Sequence, residues 1–145
     1  MRKYFFVLLI FSSLLIGCGN SGKKWTNEEK DNIEHFLKSG EASRAAVRIS
    51  NSGDPYKVVP KVEMDKINDL RYLALSEAKL VRDDVLAKAH PDLPKKFRNL
   101  YQKSLELRIE NVKNGNFKLE LEGSKLHDSW VDWINANNKK IKIPK

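Results

Sequence analysis

Apolar residues recur at intervals of three and four positions through most of the chain, which is the spacing that places them on one face of an α-helix. The sequence TNEE at positions 26–29 is a capping box, in which the threonine hydroxyl and the second glutamate carboxylate each accept a hydrogen bond from the other residue's backbone N–H. A first helix should therefore begin there and end at Ser39-Gly40. A short second helix should follow over residues 41–50.

The longest apolar stripe predicts one central helix over residues 61–89. Its members are Ile67, Leu70, Ala74, Ala78, Val81 and Val85, with Leu73 and Leu80 widening the stripe. A loop over residues 51–55 should precede this helix. Residues 56–59 should be extended, because the residue before Pro60 is pushed away from the helical conformation.

The central helix should end at His90-Pro91. Asp92 is then placed to cap the next helix, and Pro94 falls in the first turn, where proline is tolerated. Gly115 suits the left-handed position that closes that helix. A final helix over residues 117–137 carries a broad apolar stripe. Short connections make the last three helices antiparallel neighbours.

These elements predict an all-α fold, a single helical bundle of about four to five helices. The domain bounds are 1–17 for a signal peptide, 18–25 for a lipidated cysteine and tether, 26–138 for the helical domain and 139–145 for a basic tail. A helical domain of this size can bury enough apolar surface to fold without a metal ion or a disulfide.

The charge of the chain changes this picture little. The formal net charge is +8, but the excess lies at the two ends, and between Trp25 and Asn138 there are 19 basic and 19 acidic side chains. A phosphate-binding face needs surplus positive charge in the body, so we expect no nucleic-acid partner. A local basic surplus over residues 95–118 is interpreted as a solvated helix face.

The first 18 residues, MRKYFFVLLIFSSLLIGC, have the form of a secretory signal: two basic residues, then an apolar run too short to span a bilayer. The sequence Leu15-Ile16-Gly17-Cys18 resembles the lipobox of bacterial lipoproteins. The resemblance implies diacylglycerol on Cys18, cleavage before it and acylation of the new amino terminus. The membrane is then a partner through this lipid, and two or more acyl chains make the attachment stable.

An ordinary cleaved signal with an incidental cysteine is the alternative, and it would leave a soluble periplasmic or secreted protein. Lipidation would consume the only thiol of the chain, so no disulfide is expected. By the same resemblance, Gly19 rather than aspartate after the cysteine implies the outer membrane, facing the periplasm, if the organism has two membranes. Which membrane system it has is not readable from the chain.

Both flanks of the helical domain leave alternatives open. Trp25 can lie at the membrane interface or pack on the first helix. The basic tail, residues 139–145, can add as an edge strand, lie on an anionic surface or remain a disordered solubilising segment, and the disordered tail is the favoured interpretation.

The sequence shows no convergent chemistry, so we predict no enzyme, no catalytic residue, no cofactor and no metal site. Ser76 and Lys79 match an S-x-x-K pattern, but they fall in mid-helix without the companion motifs of the penicillin-binding families. The three histidines are far apart in the sequence. The acidic pairs Glu120 with Glu122 and Asp128 with Asp132 are interpreted as solvated helix faces.

The stretch Trp130-Val131-Asp132-Trp133 places two tryptophans one helical turn apart. One interpretation is that they anchor the core. The other is a partner contact formed by Trp130 and Trp133, with Asp132 or Asn135 giving polar specificity. Together with His90-Pro91-Asp92-Leu93, the longer stretch WVDWINAN at residues 130–137 resembles, across residues 73–143, small helical envelope lipoproteins that have no assigned activity.

The resulting hypothesis is a lipid-anchored envelope lipoprotein that binds another macromolecule, most simply an envelope protein, as an inhibitor, immunity factor, adaptor or assembly accessory. The alternative is a small envelope hydrolase or ligand carrier whose site forms only in three dimensions. A deep polar cleft that gathers a histidine with carboxylates would favour the alternative. The identity of the partner and the oligomeric state are not encoded in any visible pattern.

Overall fold

The computed structural model describes residues 24–51 and 59–144, and within those residues all regular structure is helical. The helices are α1 Asn27–Asn51, α2 Lys61–Leu80, α3 Asp83–Ala89, a long α4, and α5 Phe117–Asn137. Helix α4 is continuous through Leu93–Lys96, the π-helical Phe97–Gln102 and Lys103–Asn114. The predicted all-α bundle is confirmed. The predicted signal peptide, Cys18 and most of the predicted extended segment 56–59 lie outside the described residues.

Two helical pairs form the bundle. Helix α1 packs along α2, and the last segment of α4 packs along α5. The π-helical segment joins them, because it contacts both α5 and α2. Phe97 lies fully buried at the centre, with the rings of Phe36, Tyr101 and Trp130 at centroid distances of 5.4, 5.2 and 5.9 Å. This aromatic cluster is the middle of the hydrophobic core.

Helix α1 is one helix where the sequence predicts two, and Ser39-Gly40 does not end it. Both residues are buried. The Ser39 hydroxyl donates to the Ala74 carbonyl (2.7 Å), and the Tyr101 hydroxyl donates to the Ser39 carbonyl (2.7 Å). The small pair therefore lets α1 lie close to α2 and α4.

The predicted central helix is broken, because Val81 and Arg82 have extended backbones between α2 and α3. The Asn32 side chain bridges this break: its amide N–H donates to the Leu80 carbonyl (2.9 Å), and its carbonyl accepts from the Arg82 backbone N–H (2.8 Å). The guanidinium of Arg98 also donates to the Val81 carbonyl. Long-range partners satisfy backbone groups that a continuous helix would have paired internally.

Two leucines of the predicted stripe face away from the core. Leu73 and Leu80, expected to widen the buried stripe, are about half exposed instead. Ile67, Ala74 and Ala78 of the same stripe are buried as predicted.

Helix ends set by short-range signals follow the sequence more closely. The capping box is confirmed, with the Thr26 N–H donating to Glu29 (2.8 Å) and the Glu29 N–H to the Thr26 hydroxyl (3.2 Å). Gly115 adopts the expected left-handed conformation, with φ of 63°. The prediction for Asp92 is wrong: its side chain makes no capping hydrogen bond, and its backbone N–H donates to His90 Nδ1 (3.2 Å).

Candidate functional site

Trp130, the first of the predicted contact residues, lies in the core and is 3% exposed. Its ring packs against Phe97, against Tyr101 at 5.5 Å and against Trp133 at 5.9 Å. Of the two interpretations of this tryptophan, the core anchor is the one that matches its position. No face of the ring is left for a partner.

The other three predicted contact residues lie near the C-terminal end of α5. Trp133 is partly buried and packs edge-on against the ring of His90 at 5.5 Å. Asp132 is exposed and Asn135 is partly buried. Of the three, Trp133 is the one whose contact places it at the turn that follows α3.

The N-terminal residues 24–25 are held against the body of the domain. The Lys88 ammonium of α3 donates to the Lys24 carbonyl (2.6 Å) and to both carboxylate oxygens of Glu29 (2.6 and 2.8 Å). It also lies over the Trp25 ring, 4.9 Å from the centroid. The hydrogen bond from Lys88 is the main reason that the pKa of the Glu29 carboxyl is lowered. Trp25 thus packs on the domain with a contact from α3, and its predicted packing on the first helix stays a prediction.

The C-terminal tail is docked, contrary to the favoured expectation of disorder. Ile141 is buried in the core, and Ile143 packs partly against it. The Lys142 backbone N–H donates to the Ala89 carbonyl (3.1 Å). Alternation explains this geometry, since the isoleucines face inward while Lys142 remains exposed.

The two described ends of the chain therefore rest on consecutive residues of α3: Lys88 holds the N-terminal end and Ala89 the C-terminal end. We call this surface the terminal face. It consists of Lys24, Trp25, Lys139, Lys140 and Lys142. Its four lysines are exposed, and none forms an ion pair with another described residue.

A second cluster, the arginine cluster, joins Arg71 of α2, Arg108 of α4 and Glu120 of α5. Arg71 donates to both carboxylate oxygens of Glu120 (2.7 and 3.3 Å). The Nε of Arg108 lies 3.7 Å from the same carboxylate, buried and without a hydrogen-bond partner among the described residues. Burial lowers the pKa of Arg108. Glu120 is therefore a partly buried ion-pair partner of two arginines, and its predicted place on a solvated face is wrong.

His127 lies beside the two arginines, two helical turns after Glu120 on α5. Its Nδ1 is buried without a hydrogen-bond partner among the described residues. Burial, reinforced by the positive charges of Arg108 and Arg71, lowers the pKa of His127 to about 4. The imidazole is consequently neutral at pH 7.

Gly123 allows α4 and α5 to approach at this cluster. A Cβ at this position would lie 2.9 Å from both the Ser104 carbonyl and the Arg108 Cγ. Between α1 and the arginines, a cavity of about 10 Å³ is lined in part by Ser43, Ser50 and Arg71, which is room for about one water molecule.

A sequence signal for this cluster exists, because Arg108 follows Leu105 by three positions and therefore shares its buried helix face. The partners of Arg108 are not readable in the same way. Arg71 and Glu120 are 49 residues apart.

The remaining candidate residues do not converge. Ser76 is exposed, and its hydroxyl donates to the Leu73 carbonyl (2.8 Å). The three histidines have separate partners: His35 pairs with Glu77 at 2.7 Å, His90 packs against Trp133, and His127 lies beside Arg108 and Arg71. Among the described residues, no group of three or more histidine, cysteine or acidic side chains is arranged to hold a metal ion.

Within the described part of the chain, no helix has both the length and the apolarity needed to cross a membrane. Comparison of the chain with protein-family models, with curated proteins and with solved structures finds no match.

Proposed function

We propose that this chain is a lipid-anchored cell-envelope lipoprotein that acts without catalysis, by binding another macromolecule as an inhibitor, immunity factor, adaptor or assembly accessory. The observation that carries the proposal is the attachment of residues 24–25 to α3, only six positions after the lipobox cysteine. Six residues of extended chain reach about 20 Å. A lipid on Cys18 would therefore hold the α3 end of the domain close to the bilayer.

A short tether favours binding as the function. It confines the domain to a thin layer at the membrane, which raises the effective concentration toward envelope partners, so a modest intrinsic affinity suffices. The opposite end of the bundle offers exposed apolar side chains, with Phe117 at 66% and Leu121 at 50% exposure. They lie near the start of α5, a helix of 21 residues that is about 30 Å long. This places them away from the tethered end.

Lipidation is tested by Cys18→Ser, with Ser21→Ala as the matched control in the same tether. The cysteine variant should leave the membrane fraction or accumulate as an uncleaved precursor, while the control remains acylated and detergent-dependent. Cell fractionation and mass spectrometry of the amino-terminal peptide measure this. Mature, detergent-requiring material from the Cys18→Ser variant would contradict the lipoprotein assignment.

Partner binding is tested by placing a photocrosslinking amino acid at Phe117 in intact cells, with exposed Lys38 on α1 as the control position. We expect one specific protein adduct from position 117 that disappears with Cys18→Ser. Equal adducts from both positions, or none from position 117, would count against a partner at this end.

The enzyme alternative makes a different prediction. Replacing Ser76, His90 or His127 by alanine should leave the cellular phenotype intact, provided that thermal unfolding shows an unchanged fold. If one of these polar changes abolishes the phenotype while stability and partner capture persist, a small hydrolase or ligand carrier is the better description.

A further inference from the structure

We infer that the terminal face is a second membrane contact, a docking surface for the anionic headgroups of the bilayer that holds the lipid. This inference rests on the proposed lipid anchor and names the surface that faces the membrane. Its basis is the convergence on α3 of residues 24–25 and of the basic tail: Lys88 donates to the Lys24 carbonyl, and the Ala89 carbonyl accepts from the Lys142 backbone N–H. A lipid that holds residues 24–25 near the membrane therefore also holds the basic tail near the membrane.

Charge complementarity identifies the occupant. Lys24, Lys139, Lys140 and Lys142 are exposed, whereas Lys88, at the centre, is already paired with Glu29. Each lysine held near an anionic leaflet adds to the attraction, and the effect decays within about 10 Å at ordinary salt. A tether that reaches about 20 Å at full extension allows the face to enter that layer.

Acidic groups border the face without cancelling its charge. Asp92 is exposed in the turn after α3, and Asp132 is exposed on α5 beside Trp133. The carboxylates of Glu28 and Asp84 are ion-paired with Arg82, and that of Glu29 with Lys88, so these groups do not neutralise the four exposed lysines. The surplus is positive, as an anionic surface requires.

Docking of the tail on the core fixes the positions of its three lysines relative to the domain. Because Ile141 is buried and Ile143 packs partly on the core, the neighbouring lysines are fixed to the domain. Trp25, which belongs to the face, and Trp133, which packs on His90 in the turn after α3, are both partly buried, and tryptophan is enriched at membrane–water interfaces. The surface thus combines fixed cations with interfacial aromatic rings.

The first experiment uses the full chain as purified from cells, after mass spectrometry has established whether Cys18 carries acyl chains. An acylated chain is placed in vesicles of phosphatidylcholine alone or mixed with phosphatidylglycerol, and amine acylation is followed at individual lysines. Labelling of Lys139, Lys140 and Lys142 should slow about fivefold or more in the anionic vesicles, and high salt should reverse the effect. The exposed lysines Lys61, Lys66 and Lys113 serve as internal controls and should label equally in both vesicles.

A chain without acyl chains is tested by cosedimentation with the same two vesicle types. In the triple variant Lys139→Gln, Lys140→Gln, Lys142→Gln, the affinity for anionic vesicles should fall by a factor of about ten or more. The control triple variant, with the lysines at positions 61, 66 and 113 changed to glutamine, should bind within twofold of the parent. Glutamine leaves the docked backbone in place, and matched melting temperatures would show that both variants fold.

The two proposals fail separately. An acylated chain whose tail lysines label equally in both vesicles overturns the docking surface and leaves the lipoprotein assignment standing. A chain without acyl chains that binds anionic vesicles through its tail overturns the lipoprotein assignment and leaves the docking surface standing. Protection of the tail in cells together with equal labelling in both vesicle types would assign the face to a protein and overturn the lipid contact.

Discussion

Helix α4 buries polar groups in opposite ways at two places, an aromatic end in its π-helical segment and an arginine end in its last segment. In the π-helical segment, the Tyr101 hydroxyl is buried but donates to the Ser39 carbonyl at 2.7 Å, and burial raises its pKa to about 12. Two turns later, Arg108 is nearly as buried, but its Nε has no hydrogen-bond partner among the described residues. It shares the single carboxylate of Glu120 with Arg71.

The difference teaches where stability should come from. A neutral hydroxyl with a good partner costs little to bury, and the rings around Tyr101 add apolar contact. Two guanidiniums that share one carboxylate recover only part of their desolvation cost. We therefore expect the aromatic end to stabilise the fold and the arginine cluster to contribute little net stability while being sensitive to the loss of one partner.

The largest effect is expected at the aromatic end. Phe97→Ala removes a fully buried ring from the centre of the core and should lower the free energy of unfolding by about 3 to 5 kcal/mol. Urea denaturation measures this, with exposed Phe117→Ala as the matched control, which should change stability by less than about 0.5 kcal/mol. Similar losses for both variants would contradict the assigned core.

The next effect is a dependence on pH at the arginine cluster. The pKa of His127 is about 4 in the folded protein against 6.5 for an unperturbed histidine, so the unfolded chain takes up this proton first as the pH falls. Stability should decrease from pH 6.5 downward, by at most about 3 kcal/mol once the pH is below 4. His127→Gln should remove this part of the acid sensitivity. If the free energy of unfolding falls by the same amount between pH 7 and pH 4.5 in the parent and in His127→Gln, the buried neutral imidazole is contradicted.

Glu120→Gln tests the shared carboxylate. It leaves Arg71 and Arg108 with a neutral amide and should cost about 2 kcal/mol, reduced by the partial exposure of the cluster. Glu122→Gln, two positions along the same helix and exposed, is the control and should be nearly neutral. Equal losses of stability in Glu120→Gln and Glu122→Gln would contradict the ion-pair role of Glu120 and favour a solvated face for both residues.

Tyr101→Phe removes the hydroxyl that binds the Ser39 carbonyl and should cost about 1 to 2 kcal/mol. The exposed Tyr72 offers the same change without a buried partner, so Tyr72→Phe should leave stability unchanged. Thermal unfolding of the two variants gives the comparison. A neutral Tyr101→Phe would mean that the bond contributes nothing beyond the packing of the ring.

The smallest change in stability is expected at Arg108, and it distinguishes the arginine cluster most clearly from the aromatic end. Arg108→Met replaces an incompletely paired cation by an apolar chain of similar length and leaves Glu120 paired with Arg71, so stability should change by less than about 1 kcal/mol or increase. Chemical denaturation at pH 7 measures it. A loss of several kcal/mol would mean that the arginine cluster stabilises the fold after all.

Sequence-based prediction succeeded where the controlling residues are near one another in the chain. The capping box at Thr26 and the left-handed Gly115 each depend on a few consecutive residues. The break between α2 and α3 depends on Asn32, whose side chain accepts from a backbone N–H 50 residues away. No pattern within residues 61–89 records that contact, so periodicity alone predicted one helix.

The candidate sites divide in the same way. Spacing placed Trp130 and Trp133 on one helix face, but the depth of each ring depends on neighbours from α3 and α4. In the terminal face, residues 24 and 142 contact consecutive residues of α3, which no short-range signal encodes. The lipobox is readable from sequence because it depends on consecutive residues, and it stays a prediction.

The break between α2 and α3 also has a consequence for the order in which the chain folds. Before α1 docks, residues 61–89 favour a single straight helix that competes with the native bend. Helix segments melt and reform within about a microsecond, so this competing helix is no lasting trap. Because Asn32 and Arg98 bind the backbone at the break, we expect α3 to acquire its orientation only once both residues are in place. Residues 24–25 and the basic tail, which contact α3, should then be the last parts to gain protection from hydrogen exchange during refolding.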